Sequence, residues 1–288
     1  MALITTKQIL TPQPSGWAVG AFNVHNMEDV QAVVWAAEEA QAPVIILVSE
    51  SALKHAGAAY IGSIVKAASE RVNIPIALQL DHGRSYEVAV ECIKEGFSGV
   101  MIDGSHLPFA ENVALTKKVV EVAHDFGVTV EGELGRVGGK EDHLNVASQD
   151  AFLTDPDQVV EFVESTGIDI LAPAIGTVHG LYRGEPMIDF ALLGKIRALV
   201  HLPLVMHGGS DLPVAIIEQA IASGISKINV GTDIKYAVTD TIKEYFRDHP
   251  EEFEPRKVFG AAREQAKRVV GEKLLLFKAV GKAREVNR

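Results

Sequence analysis

The chain has 288 residues, of which 47% are hydrophobic and 23% charged, and its formal net charge is −11. This acidic balance argues against nucleic acid as a main partner, because phosphate backbones select basic surfaces. The single cysteine, Cys92, excludes an intramolecular disulfide. No apolar run approaches the roughly 18 residues typical of a membrane span. Residues 1–14 lack a signal-peptide pattern, so we expect a cytoplasmic protein with no membrane partner.

Short apolar runs alternate along the chain with longer stretches of helical periodicity. Eight runs predict strands, at 20–24, 43–48, 75–80, 99–102, 128–133, 170–179, 203–207 and 225–230. Helices are predicted at 27–40, 60–70, 86–95, 112–126, 156–166 and 189–200, after Pro213, and from 234 to 284. This alternation predicts an α/β fold with a parallel sheet, and eight units favour a closed (β/α)8 TIM barrel. We expect one barrel domain over residues 1–288 with a C-terminal helical extension.

The segment 134–150 follows the fifth predicted strand and is rich in glycine and charged residues. It shows no clear periodicity. A structureless stretch of this length inside a compact domain is usually a lid or a binding loop. We therefore expect a lid or a binding loop at this position.

Three histidines stand at the ends of predicted strands, each beside glycine: His82, His179 and His207. In an α/β barrel the carboxyl ends of all strands meet at one rim, so the three side chains could converge. Three imidazoles and an open position form a common catalytic zinc site. Other first-row metals also accept imidazole, so the sequence does not fix the metal. The alternative is three unrelated histidines that form hydrogen bonds in the active site.

Acidic side chains also stand at strand ends. Asp81 precedes His82, and it could act as a general acid or base or instead hold a histidine in place. Asp103 and Glu133 could supply a second metal position or orient the histidines. Glu131 shares a strand face with Glu133, because strand side chains alternate with a period of two.

Glycine-containing stretches follow the later strands, at Gly180, at 208–210 and at 231–232. Glycine lets backbone N–H groups approach an anion, and barrels often bind phosphate after their seventh and eighth strands. Turns also need glycine, so each stretch alone is weak support. A phosphorylated molecule beside a Lewis acid fits aldol cleavage or proton abstraction next to a carbonyl. A Schiff base at Lys227, in the eighth strand, is the alternative that the sequence leaves open.

The chain resembles the class II, metal-dependent ketose-bisphosphate aldolases over nearly its whole length. The motifs that carry the resemblance are GAFN at 20–23, LDHG at 80–83, MIDGSH at 101–106, EGELGRVGG at 131–139, AIGTVHGLYRG at 174–184, HGGSD at 207–211 and NVGTD at 229–233. The resemblance implies aldol cleavage of a ketose 1,6-bisphosphate, with the fructose form the first expectation and the tagatose form the alternative. It also implies a homodimer or homotetramer.

The resemblance further implies roles for individual residues. A divalent metal, usually zinc, would be held by His82, His179 and His207, with Asp103 and Glu133 at a second or alternative position, and a monovalent cation could assist. Asp81 and Glu141 would be catalytic. The substrate would contact Asn23, Ser49, Gly180, Gly208, Gly209, Ser210, Asn229, Val230, Gly231, Thr232 and Arg256.

Two positions depart from the family pattern. Gly231 stands where fructose-bisphosphate enzymes often carry an acid or an amide. This weakens the assignment of either the fructose or the tagatose bisphosphate as substrate. Arg183 replaces a common lysine, which preserves charge but changes geometry. A phosphate-binding barrel without activity and a metal-dependent hydrolase remain as alternatives from other classes.

Overall fold

The computed structural model describes residues 3–11, 13, 15–141, 144–147 and 149–286, and of residues 141, 144 and 145 it describes the backbone only. The strands are β1 Val19–Asn23, β2 Val44–Ser49, β3 Ile76–Gly83, β4 Gly99–Ile102, β5 Thr129–Leu134, β6 Gly138–Glu141, β7 Leu144–Val146, β8 Ile170–Pro173, β9 Val178–His179, β10 Leu204–Met206 and β11 Ile225–Val230. The helices are α1 Thr6–Ile9, α2 Met27–Ala40, α3 Glu50–Ala56, α4 Ala58–Ser69, α5 Tyr86–Lys94, α6 Phe109–Asp125, α7 Pro156–Thr166, α8 Phe190–Leu199, α9 Val214–Ala222, α10 Thr232–Asp248, α11 Pro255–Leu276 and α12 Ala283–Val286.

Eight of the strands close into a barrel in the order β1-β11-β10-β8-β5-β4-β3-β2, and neighbouring strands run parallel. The barrel strands are buried along their length, which explains why they are continuous apolar runs in the sequence. Helices between the strands cover the outside. The predicted (β/α)8 barrel is therefore confirmed, and the carboxyl ends of its strands form one rim.

The predicted loop at 134–150 is only partly irregular. Within it β6 and β7 form an antiparallel pair, and β6 also pairs with β9. The prediction that the sixth barrel strand continues to His179 is wrong, because that strand ends at Pro173 and His179 lies on the separate β9. The backbone turns at Gly176, where φ is +98° and a Cβ would lie 2.3 Å from the carbonyl oxygen of Met187. Glycine is therefore needed between the barrel strand and β9.

Helix α1 lies at the opposite end of the barrel from the rim. Its N-terminal neighbour Ile4 donates a backbone hydrogen bond to Ile76, at the start of β3. The amide of Lys7 donates to Thr129 Oγ1 at the start of β5. Thr6 is fully buried and donates to Gln79 Oε1 inside the barrel, at 2.8 Å. The sequence did not predict α1, because four residues carry no helical period.

The C-terminal region packs back on the barrel through α11, which contacts α2 and α10. Its buried residues recur every four positions, at Val258, Ala262, Ala266, Val270 and Leu274. Residues four apart lie on one helix face, so this stripe is the face that packs. Within the described ranges, no helix combines the length and the apolar character that a membrane crossing requires.

Candidate active site

Three buried imidazoles meet at the carboxyl rim of the barrel. His82 lies near the end of β3, His179 ends β9, and His207 directly follows β10. Their ring centroids lie 4.9 Å apart for His82 and His179, 4.7 Å for His82 and His207, and 5.8 Å for His179 and His207. One ligand atom from each ring lies within 4.8 Å of the other two. This is the spacing of a group that can share one ion.

The end of β3 brings Asp81 and His82 to the same rim although they are sequence neighbours. In a regular strand their side chains would point to opposite faces. The backbone of His82 instead adopts a φ of +49°, and the pairing of β3 with β4 is irregular between Leu80 and Gly83. A left-handed backbone at a non-glycine residue costs free energy and is concentrated at functional sites. The turn places both side chains in the buried rim.

Two further carboxylates surround His82. Asp103, just after β4, lies 2.9 Å from Nδ1 of His82, and Oε2 of Glu133 lies 3.8 Å from the same nitrogen. Among the described residues, Glu133 Oε2 is buried without a hydrogen-bond partner. Burial and the charge of Asp103 raise the pKa of Glu133 to about 8. His82, Asp103 and Glu133 thus form a second group that can hold a cation, and it shares His82 with the first.

The electrostatics of the cluster favour a bound cation. Burial lowers the pKa of His82, but the charge of Asp81 and the hydrogen bond with Asp103 raise it more, to about 10. Burial and the neighbouring imidazoles hold the pKa of His179 well below its usual value, and burial lowers the pKa of His207. His179 and His207 are therefore neutral, as metal ligation requires, and at His82 a metal ion would replace the proton that the carboxylates stabilise. These nitrogen and oxygen donors fit a divalent first-row metal.

Asp81 is held between two amides. Asn23, which ends β1, donates from Nδ2 to one carboxylate oxygen at 2.8 Å, and Asn229 of β11 donates to the other at 3.4 Å. Ser49 is the register partner of Asp81 on β2 and caps α3 by accepting from Ala52. The structure therefore brings Asn23, Ser49, Asp81 and Asn229 to one part of the rim.

The glycine-containing stretches pack against backbone next to the histidines. A Cβ at Gly208, whose φ is +67°, would lie 2.2 Å from the carbonyl oxygen of Val178. A Cβ at Gly209 would lie 2.8 Å from the carbonyl oxygen of Asn229, and one at Gly180 would lie 3.0 Å from that of Lys140. These glycines are required by close backbone packing. They therefore have a structural reason independent of any phosphate.

Helix α10 begins beside these glycines, directly after Val230 and Gly231. No side chain caps its N-terminus at Gly231. Ser210 is buried next to it, and its hydroxyl accepts from the amide of Asp233 at 3.3 Å. The first turn, from Thr232, thus points its positive helix end toward the rim, where an anion would be stabilised.

The structure places one predicted site residue, Arg256, away from the cluster. The side chain of Glu141 lies outside the described residues, and its backbone ends β6. Arg256 lies at the start of α11, where its guanidinium pairs with Glu254 and its side chain is 87% exposed. Cys92 is buried on α5, and burial raises the pKa of its thiol, as expected of a small apolar core residue.

Sequence reasoning assigned no role to a buried network under the histidines. Glu131 accepts from Lys227 Nζ at 2.7 Å and from Gln79 at 2.9 Å, and its other oxygen lies 3.1 Å from Nε2 of His207. A lysine within a buried strand must have a partner, so Lys227 was the sequence feature that could have indicated this network. Tyr182 also went unnoticed: its hydroxyl donates to the carbonyl of Gly208 and accepts from the amide of Val178. No sequence pattern points to that contact.

Comparison with known proteins gives consistent matches over nearly the whole chain. A family model described as fructose-bisphosphate aldolase class-II matches residues 4–282. A fructose-bisphosphate aldolase of Thermus caldophilus is 45% identical over 305 residues, covering 98% of this chain and 100% of the relative. One from Geobacillus stearothermophilus is 46% identical over 287 residues, covering 98% and 99%. Among solved structures, the YdjI aldolase of Escherichia coli K12 matches with a TM-score of 0.82 and 35% identity, covering 93% of this chain and 94% of that one.

The matched region contains the complete barrel, the three histidines and the N-terminus of α10. The family is one of metal-dependent lyases that act on phosphorylated sugars, which agrees with the nitrogen and oxygen donors at the rim. Coverage and identity of this extent establish the relationship: the chain belongs to the class-II fructose-bisphosphate aldolase family.

Proposed function

We propose that the protein catalyses the reversible cleavage of fructose 1,6-bisphosphate to dihydroxyacetone phosphate and glyceraldehyde 3-phosphate. The observation that carries the proposal is the convergence of three buried imidazoles within 4.8 Å, on the same rim as Asp81 and the N-terminus of α10. Two relatives of similar length bear the name fructose-bisphosphate aldolase. These are features that metal-assisted aldol cleavage of a phosphorylated ketose would use.

His82, His179 and His207 would hold the divalent ion, with zinc the first candidate because three imidazoles are a common zinc set. When bound, the ion would supply Lewis-acid polarisation of the ketose carbonyl. Asp103 orients His82 through the contact at Nδ1, as carboxylates commonly do for metal-bound histidines. Asp103 and Glu133 would also provide the second or alternative position around His82.

Asp81 would remove the proton from the C4 hydroxyl as the C3–C4 bond breaks. Its two oxygens are held by Asn23 and Asn229, so the carboxylate is oriented before the substrate arrives. Glu141 would return a proton to C3 of the dihydroxyacetone phosphate half. Its place on β6, which pairs with the histidine-bearing β9, is consistent with that role.

The two phosphates would bind on opposite sides of the histidines. Backbone groups of Gly180, Gly208, Gly209 and residues 229–232, with the hydroxyl of Ser210, would bind the phosphate of the dihydroxyacetone half at the α10 N-terminus. Ser49 and Arg256 would bind the other. Arg256 is exposed in the single chain, which agrees with a place near a subunit boundary in a homodimer or homotetramer. We also propose that the enzyme is cytoplasmic.

The buried state of Lys227 disfavours the alternative route through a Schiff base. Its Nζ is fully buried and lies 2.7 Å from Glu131. The contact with Glu131 engages this amine inside the barrel, whereas a Schiff-base lysine must be free to reach a substrate carbonyl carbon. The metal route therefore gives the three histidines a role and is compatible with the pairing of Lys227 with Glu131.

A coupled assay for dihydroxyacetone phosphate tests the proposal with fructose 1,6-bisphosphate and tagatose 1,6-bisphosphate as parallel substrates. We expect faster release from the fructose sugar, in a ratio of kcat/KM well above one. The two sugars differ at C4, where Asp81 would act, so a preference for tagatose 1,6-bisphosphate would correct the substrate. No release from either sugar would reject aldol cleavage of these bisphosphates.

A further inference from the structure

Lys227 is a fully buried cation that the proposed reaction does not use. It lies in the middle of β11, inside the barrel, and its relative exposure is 0%. Burying a charge without a partner is very costly, so its partner must be important to the fold or to the site. That partner is Glu131 of β5, which is also 0% exposed.

The two oxygens of Glu131 have different partners. Oε2 accepts from Lys227 at 2.7 Å and from the Nε2 amide of Gln79 at 2.9 Å. Oε1 lies 3.1 Å from Nε2 of His207. Two donors therefore fix one oxygen, and the other oxygen is directed at the histidine.

This arrangement determines which nitrogen of His207 faces the histidine cluster. A carboxylate only accepts, so the hydrogen bond to Glu131 places the proton of His207 on Nε2. Nδ1 lies on the other side of the ring, 3.0 Å from Nε2 of His82. The nearest other polar contact of Nε2 is the Asn229 amide, at 3.5 Å, the limit of a hydrogen bond.

We propose that Lys227 and Gln79 are positioning residues that fix Glu131, so that His207 presents Nδ1 to a metal ion. The inference rests on the proposed metal site but not on the identity of the substrate. A partner that fixes the tautomer and the ring orientation of a histidine ligand commonly contributes tenfold or more to metal affinity.

The same side-chain types recur at the far end of the barrel and provide a matched control. There Lys7 contacts Asp169 at 2.9 Å, and the other oxygen of Asp169 lies 3.0 Å from Nε2 of His124. This lysine, carboxylate and histidine do not touch the cluster. Variants of this second set remove the same kinds of group without changing His207, although Lys7 is 61% exposed and Lys227 is fully buried.

The test compares the Zn²⁺ affinity of K227M and of the K227M/E131Q double variant with that of K7M, by competition with a chromophoric chelator. We expect Zn²⁺ affinity to fall about 10- to 100-fold in both Lys227 variants and to stay unchanged in K7M. The Co²⁺-loaded Lys227 variants should also show a shifted visible spectrum.

The double variant removes both charges, so it avoids leaving Glu131 buried without its cation. A lower unfolding midpoint with wild-type Zn²⁺ affinity would show that the pair is only structural and overturn the proposal.

Nitrogen NMR of the histidine-labelled wild-type chain tests the tautomer directly and needs no folded variant. We expect a proton on Nε2 of His207, and a neutral ring with its proton on Nδ1 would overturn the inference. Failure of the proposed metal site has a different signature. In that case the wild-type chain itself would bind no Zn²⁺, whereas failure of this inference leaves wild-type binding intact.

Discussion

Asp81 and His82 show how one strand end supplies two kinds of chemistry. Because the backbone of His82 is left-handed, the side chains of the neighbouring residues Asp81 and His82 both reach the same rim. The acid is then held by two amides from β1 and β11, and the imidazole lies among carboxylates and two other imidazoles. The proposed proton-transfer group and the proposed metal ligand are thus separate side chains that can be altered independently.

Replacing Asp81 with Asn should lower the rate of dihydroxyacetone phosphate release about 10²- to 10⁴-fold, the usual contribution of a general acid or base. Zn²⁺ content should be unchanged, because Asp81 is outside the proposed ligand set. Steady-state kinetics and metal analysis on one preparation measure both. Asp29→Asn is the control, since Asp29 is also buried but bonds to His25. Wild-type turnover in Asp81→Asn would remove Asp81 from the mechanism.

Single residues were predictable where a polar side chain interrupts an apolar run. The three histidines, Asp81 and Asp103 all follow such runs. The partners of Glu131 were not predictable, because Gln79, His207 and Lys227 come from strands far apart in the sequence. Which nitrogen of a ring faces which neighbour depends on side-chain geometry that a strand pattern does not contain.

At the scale of elements, the position of His179 depends on a small sheet outside the barrel. β9 has two residues, and its pairing with β6 matches Gly139 with His179. Gly139 has a φ of +98°, and a Cβ there would lie 2.2 Å from the carbonyl oxygen of His179. Tyr182 and Gly208 hold the other side of β9. Close packing around β9 therefore fixes one of the three proposed ligands.

Gly139→Ala should force β6 and β9 apart and lower turnover about 10²-fold, the scale of a displacement of about 1 Å in a catalytic site. Gly184→Ala is the matched control: its φ is +107°, but its Cβ would meet nothing within 4 Å. Both variants carry backbone strain, so the difference between them isolates the contact with His179. Kinetics and Zn²⁺ affinity on the two proteins measure it. Equal losses in both would show that the β6–β9 contact does not position His179.

The barrel elements were predictable because each follows from a local pattern. Buried parallel strands are continuous apolar runs, and the helices between them carry their own period and caps, such as Asn26 for α2. The pair β6 and β7 was not predictable. β6 is rich in glycine and charge, and β7 has only three residues. β6 is also paired in part by residues 178–179, far along the chain.

At the scale of the whole molecule, closure of the barrel turns separate strand ends into one site. A polar path crosses its interior, from Thr6 in α1 through Gln79 and Glu131 to His207. The N-terminal end thereby connects to the rim through side chains that are fully or almost fully buried. Fold and rim together could be predicted from the alternation of elements, and the family match over residues 4–282 agrees with both.

The most direct measurement is a metal titration of the chelator-stripped chain with fructose 1,6-bisphosphate as substrate. Dihydroxyacetone phosphate release should be lost on stripping and return in proportion to bound Zn²⁺, because the three imidazoles lie close enough to share one ion. Borohydride added during turnover should trap no sugar on the protein. Full release without metal, with sugar trapped at Lys227, would instead establish the Schiff-base route and refute the metal centre.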